Sequence, residues 1–285
     1  MFSPLSGLVS QIASFLPPGF VQAITIAFMP NPNGDCGKKT FVAEAIGTIL
    51  MIAFTFSPGK WIFNDPSSLY PCWCVHALGV VAADKIGGGQ HVNPSMSVSM
   101  YALGKCSYSE MIIRIAGAMA GGLIAFPLCK YVSDTFDWIP LGGPEYNPDG
   151  DADASASAFN EFGATVCLCF VVYIVNWELN FGKFHYWIKQ TLTALGIRFL
   201  IEAFPTSGPA MNPMLGTTWA VFSTGEYPGD VRHYFVYWVA SMLGAIVASF
   251  AYAVYDGCTF FGMKLPFGPI KAKPVPAATS SKKKN

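Results

Sequence analysis

The chain has 285 residues, of which 52% are hydrophobic, 15% aromatic and only 12% charged, with a mean hydropathy of +0.41. A water-soluble protein of this length needs more charge on its surface, so lipid is expected to be much of the surrounding solvent. Seventeen basic and seventeen acidic residues cancel, which gives no basic face for nucleic acid.

Residues 8–29 are apolar but interrupted by Pro17-Pro18, and the first basic residue is Lys38. Without a charged start or a small-residue cleavage site, this segment reads as an amphipathic or re-entrant preface on the membrane rather than a signal peptide. A spanning helix needs about 20 mostly apolar residues. Six stretches qualify, at 41–57, 69–86, 109–131, 158–178, 185–203 and 233–254, and two apolar segments at 93–103 and 212–223 are too short to span. Each short segment opens with Asn-Pro, as Asn93-Pro94-Ser95 and Asn212-Pro213-Met214.

Asn is a favoured helix N-cap and Pro a favoured first helical residue, where its missing N–H costs nothing. Both short segments are therefore helix starts, each preceded by a loop containing glycine. A single Asn-Pro is an ordinary cap, but this pair comes with a duplicated surround. Glu44 precedes Asn93 by 49 positions and Glu161 precedes Asn212 by 51. Three spans per half place the second copy upside down, which makes an inverted repeat with a pathway between the halves. The organisation expected is a cytoplasmic amphipathic segment (1–40), a first repeat (41–131), an acidic extracytoplasmic connector (132–157), a second repeat (158–255) and a cytoplasmic tail (256–285). Lys85, Lys105, Lys183 and the tail lysines share one side, whereas the connector carries six acids and no base. The positive-inside rule then puts both termini in the cytoplasm, although Lys60, Lys130 and Arg232 fall on the other side.

In this arrangement the half-helices meet head to head at the midplane. Each directs about half a positive charge at the lumen, and each Asn amide can donate to a passing oxygen, so cations are repelled and neutral solutes handed on. Cys72, Cys74, Cys167 and Cys169 sit inside apolar runs, and all eight cysteines read as mostly buried, reduced thiols. No metal site or cofactor is expected.

Gly89-x-His91-x-Asn93-Pro94 and Ser207-Gly208-x-x-x-Asn212-Pro213, with Tyr237-Trp238-Val239 and Gly244-Ala245 further on, resemble the signatures of the aquaporin, or major intrinsic protein, family over about residues 41–255. The resemblance implies an all-α membrane fold of six spanning helices and two re-entrant half-helices. It further implies a pore in each subunit of a homotetramer, passing water or small uncharged solutes such as glycerol without catalysis. Glu44 and Glu161 would brace the re-entrant loops, and His91 would line or brace the cytoplasmic mouth. Counting from each Asn, the outer filter would be Trp73, Leu200, Pro209 and Leu215. Here the sequence departs from the family, because an arginine usually stands where this chain has Leu215. Trp73 is similar to the filter Trp of glycerol facilitators. Leu215 after the second motif, together with the altered motifs at Ser95 and Met214, resembles the unorthodox (superaquaporin) branch, and the bulk of Met214 is expected to reshape the junction. Gly121-Gly122 suits a close helix crossing.

Arg198 and Glu202 can pair one turn apart, facing away from Leu200, and His76 is expected to be hydrogen-bonded within the bundle. Lys282-Lys283-Lys284-Asn285 matches a dilysine retrieval signal, which leaves endoplasmic reticulum and plasma membrane both open. A secondary transporter, or a poorly conducting relative with a structural role, is the alternative function.

Overall fold

The computed structural model describes residues 37–56, 69–135, 143, 144, 146 and 153–271. The N-terminal preface, most of the acidic connector and the terminal lysines lie outside these residues. Six long helices are described: α1 (Gly37–Phe56), α2 (Leu69–Gly87), α4 (Tyr108–Thr135), α5 (Ala154–Glu178), α6 (His185–Ala203) and α8 (Val231–Asp256). Two short ones complete the set, α3 (Pro94–Ala102) and α7 (Pro213–Thr224). α1, α4, α5 and α8 are long and apolar enough to cross a membrane. α2 and α6 are each 19 residues long and carry the ionisable residues Asp84, Lys85, Lys189, Arg198 and Glu202, which dilute the apolar signal.

The helices run slightly past the sequence expectations because polar residues complete their ends. α4 continues beyond residue 131 to Thr135, where Lys130 and Asp134 form an i,i+4 pair at 3.0 Å. α8 begins at Val231 because Asp230 caps it, its carboxylate accepting the Arg232 N–H at 2.8 Å. Gly225 and Gly257, at φ of 85° and 82°, close α7 and α8 in the left-handed region that Gly enters at no steric cost. α5 ends in a π turn, Ile174–Glu178, and α8 contains another at Phe235–Ala240.

Small residues set the close crossings, one in each half. A methyl group on Gly121 of α4 would stand 2.6 Å from the Ala45 carbonyl oxygen of α1, and one on Gly244 of α8 would stand 2.6 Å from the Phe162 carbonyl oxygen of α5. The pairs α1–α4 and α5–α8 are thus the same crossing repeated. The half-helices knit the repeats together: α3 packs on α4 and α8, and α7 packs on α4 and the π turn of α8. Gly257–Lys271 then returns along the ends of α3, α5 and α8. The Phe261 N–H donates to Ala102 O at 2.7 Å, and Lys271 Nζ reaches Glu178 Oε2 at 2.7 Å. We call this end the tail side and the opposite end the far side.

Large apolar side chains project from the bundle, among them Leu78, Phe159, Val231 and Leu243, as a lipid-facing surface requires. That surface also corrects the reading of the cysteines. Of the six described, all free thiols, Cys129 and Cys169 are buried, Cys74 is exposed, and Cys106, Cys167 and Cys258 lie between. In a membrane bundle the apolar outer face takes cysteines as readily as the core does.

Candidate functional site

Asn93 and Asn212 cap α3 and α7 as their sequence requires. Each backbone is extended, and each side-chain oxygen accepts the N–H of the residue two places on, Ser95 at 2.9 Å and Met214 at 3.1 Å. The amide nitrogens cross between the halves. Asn93 Nδ2 donates to Met211 O at 2.8 Å, and Asn212 Nδ2 donates to Val92 O at 2.9 Å. Each nitrogen carries two hydrogens, so one N–H of each Asn remains for another acceptor.

The residues before the caps hold strained backbone in matching places. Val92 and Met211 have φ of 49° and 50°, a region that bulky and β-branched residues rarely enter. Such a conformation persists only where its surroundings over-determine it. Here the Val92 and His91 N–H groups donate to the two oxygens of Glu44, the latter at 3.1 Å. The Met211 and Ala210 N–H groups donate to Glu161 at 2.9 and 2.6 Å. Both glutamates are fully buried. Their further partners differ: Arg114 Nη1 lies 2.8 Å from Glu44, whereas the Ser241 hydroxyl lies 3.1 Å from Glu161. His91 Nδ1 and Ser97 Oγ are 3.0 Å apart, tying the first loop to its own half-helix.

A cavity of about 360 Å³ opens from the tail side to this junction, reaching Asn93, Met211 and Asn212 and ending beside Ala210 and Leu215. Its walls are largely apolar, with Met51, Met96, Met100, Leu168, Val172 and Ile197. The polar residues Asp84, Asn176, Lys189, Gln190 and Thr193 lie on helices that line its tail-side half. Of the four filter candidates, Leu215 lines the cavity. Leu200 is buried and packs with Ala164, Leu168 and Met211 at its closed end; Pro209 is buried, and Trp73 is half-buried with its indole N–H shielded and without a partner among the described residues.

Met214 does not line the cavity. Its side chain is fully buried away from the cavity lining, with its sulfur where a methyl group on Gly122 of α4 would come within 2.5 Å. The missing side chain at Gly122 makes room for the larger one at Met214. Arg198 and Glu202 pair at 2.5 Å on the partly exposed outside of α6. His76 departs from expectation, because its Nε2 is shielded without a hydrogen-bond partner among the described residues. Asp84, Gln190 and Asn176 were not singled out by sequence. Their only sequence signal is polarity within otherwise apolar spans, and Asp84 could have been found as an acid in the last turn of a spanning helix.

Two half-helices joined cap to cap at the end of a cavity, inside a bundle of two inverted three-helix units, define a membrane channel. Residues 35–252 match the Major intrinsic protein family, and the chain belongs to it. It is 25% identical over 238 residues to a probable TIP-type aquaporin, RB7-5A, of Nicotiana tabacum, covering 77% of this chain and 88% of that one. It is 28% identical over 170 residues to aquaporin SIP1-1 of Arabidopsis thaliana, covering 58% and 66%. The X-ray structure of the aquaglyceroporin from Plasmodium falciparum superposes with a TM-score of 0.63 at 20% identity, over 75% of this chain and 94% of that one. The protein is thus an integral membrane channel for water and small solutes, not an enzyme, and the fold is that of the aquaporins.

Proposed function

We propose that the solute path runs through the tail-side cavity, between the free N–H groups of Asn93 and Asn212, and out through an apolar filter of Trp73, Leu200, Pro209 and Leu215. The observation that carries this reading is the reciprocal Asn93–Met211 and Asn212–Val92 hydrogen bonding, which holds two donors at the closed end of the cavity. A solute oxygen there meets two N–H groups and the positive ends of two helices, which disfavour cations. The filter above carries no fixed cation, so glycerol and similar uncharged solutes fit it alongside water. The proposed unit is a homotetramer with a pore in each subunit, built from repeats at 41–131 and 158–255 and joined by the connector 132–157. The termini are proposed to be cytoplasmic, in either the endoplasmic reticulum or the plasma membrane.

Stopped-flow light scattering on proteoliposomes tests the path. Glycerol flux is expected to exceed that of empty vesicles and to fall roughly tenfold in Leu215→Arg, because a cation at the filter narrows it and holds its own water. Equal glycerol flux in the variant would remove Leu215 from the filter. Fluxes of water and glycerol at the empty-vesicle level would favour the structural role instead.

A further inference from the structure

Two amides on the tail-side half of the cavity each commit one N–H to a protein acceptor and leave their oxygen uncommitted. Gln190 Nε2 donates to Asp84 Oδ2 at 2.6 Å, and the Tyr186 hydroxyl donates to the same oxygen at 2.7 Å. Asn176 Nδ2 donates to Val172 O at 2.8 Å. Each partner here is a carboxylate or a carbonyl, which can only accept, so the chemistry fixes which end of each amide is nitrogen. The remaining atoms, Asp84 Oδ1, Gln190 Oε1 and Asn176 Oδ1, have no hydrogen bond among the described residues, and none is sealed from solvent. Gln90 differs: its nitrogen donates to Ala83 O at 3.1 Å, but its oxygen is shielded and out of reach.

This placement runs against local stability. A carboxylate in the last turn of α2 opposes the negative end of the helix, and Asp84 enters no ion pair among the described residues. Lys85 and Lys189 stand instead over the Tyr186 ring, 4.9 and 5.9 Å from its centroid. They offset the carboxylate's field without occupying its free oxygen. The π turn at Ile174–Glu178 carries Asn176 to the cavity wall from the other side, and π turns recur at functional sites.

We infer that Asp84, Gln190 and Asn176 form an acceptor station that selects small neutral solutes rich in N–H donors, of which urea is the simplest probe. Such a solute gives its N–H groups to three oxygens on the tail side and its carbonyl oxygen to the Asn93 and Asn212 amides deeper in. Glycerol has fewer donors to give than urea and no carbonyl oxygen to offer the two Asn amides. Selectivity is thereby assigned to the tail-side mouth and not only to the filter. The inference rests on the channel reading and adds to it the residues that discriminate among solutes.

Urea, glycerol and water permeabilities of the full chain in proteoliposomes, for the parent, Asp84→Asn, Asp84→Glu and Asn176→Leu, provide the test. The parent is expected to favour urea over glycerol more than empty vesicles do. Asp84→Asn and Asn176→Leu are each expected to lower that ratio about threefold to tenfold, the factor that one hydrogen bond in the rate-limiting passage carries, and Asp84→Glu to restore most of it. A ratio unchanged in both lowering variants, or a parent that passes glycerol and excludes urea, overturns the inference while leaving the channel intact. Water flux no faster than in empty vesicles overturns the channel reading and the inference with it. Should Asp84→Asn fail to reconstitute, Asn176→Leu alone decides.

Discussion

Glu44 and Glu161 do the same geometrical work in the two repeats with different chemistry. Each accepts two consecutive backbone N–H groups and so fixes a left-handed residue ahead of an Asn cap. In the first repeat the carboxylate is also paired with Arg114, which Glu110 holds from one turn away at 2.9 Å. In the second it is met by a neutral hydroxyl, that of Ser241. Backbone geometry is therefore what the inverted repeat preserves, while side-chain partners such as Arg114 and Ser241 differ. Losing one partner of a buried ion pair costs more than losing a neutral hydrogen bond, so the two braces should fail unequally.

The largest expected effect follows. Glu44→Gln should destabilise the protein by about 3 kcal/mol, since Arg114 then faces a neutral amide, and Glu161→Gln by about 1–2 kcal/mol. Thermal unfolding of the purified protein in detergent measures both, and equal losses would mean that Arg114 adds nothing to the first brace. A smaller contrast lies in α4. A methyl group on Gly121 would meet the Ala45 carbonyl oxygen, which is backbone and cannot yield, whereas one on Gly122 would meet only side chains, the Met214 sulfur at 2.5 Å and the Thr218 hydroxyl at 2.6 Å. Gly121→Ala is expected to cost about 2 kcal/mol and Gly122→Ala about 1 kcal/mol, the latter relieved by adding Met214→Ala. The same unfolding assay would sharpen the comparison, and the reverse order would show the Met214 site to be the stiffer one.

The smallest effect is at the entrance to α8. Hydrogen bonds from the Arg232 side chain and backbone hold the Asp230 carboxyl below its ordinary value of 3.8. A lowered folded-state value gives a contribution that is complete above about pH 4 and is lost as pH falls through the folded-state value. Asp230→Ala should thus lower the melting temperature slightly at pH 7 and make the decline between pH 5 and 2 shallower. An unchanged decline would show that the cap is silent. The α3 start has no comparable sensitivity, because its cap is the neutral Asn93.

Much of this molecule could be read from its residues. Asn-Pro announces a helix start wherever it occurs, because side-chain capping and proline's fixed φ are local properties. Two starts at similar distances from a duplicated Glu, within spans of membrane length, imply the inverted repeat and the meeting of the caps. Arg198 and Glu202 pair as their spacing requires, since positions four apart on a helix are neighbours.

Other features depended on what lies across the bundle. The space that the Met214 sulfur fills lies beside Gly122, ninety-two positions earlier in the chain. The partner of Glu44, Arg114, lies 70 positions away. Asp84, Gln190 and Asn176 are unremarkable as separate letters. They become three uncommitted oxygens at one wall only because α2, α5 and α6 converge on one cavity and each amide commits an N–H to a neighbouring acceptor. Capping, periodicity and span length act between residues close in sequence, so the chain alone specifies them. Which hydrogen-bonding groups remain free is decided by contacts between distant segments, and that is determined by the tertiary structure.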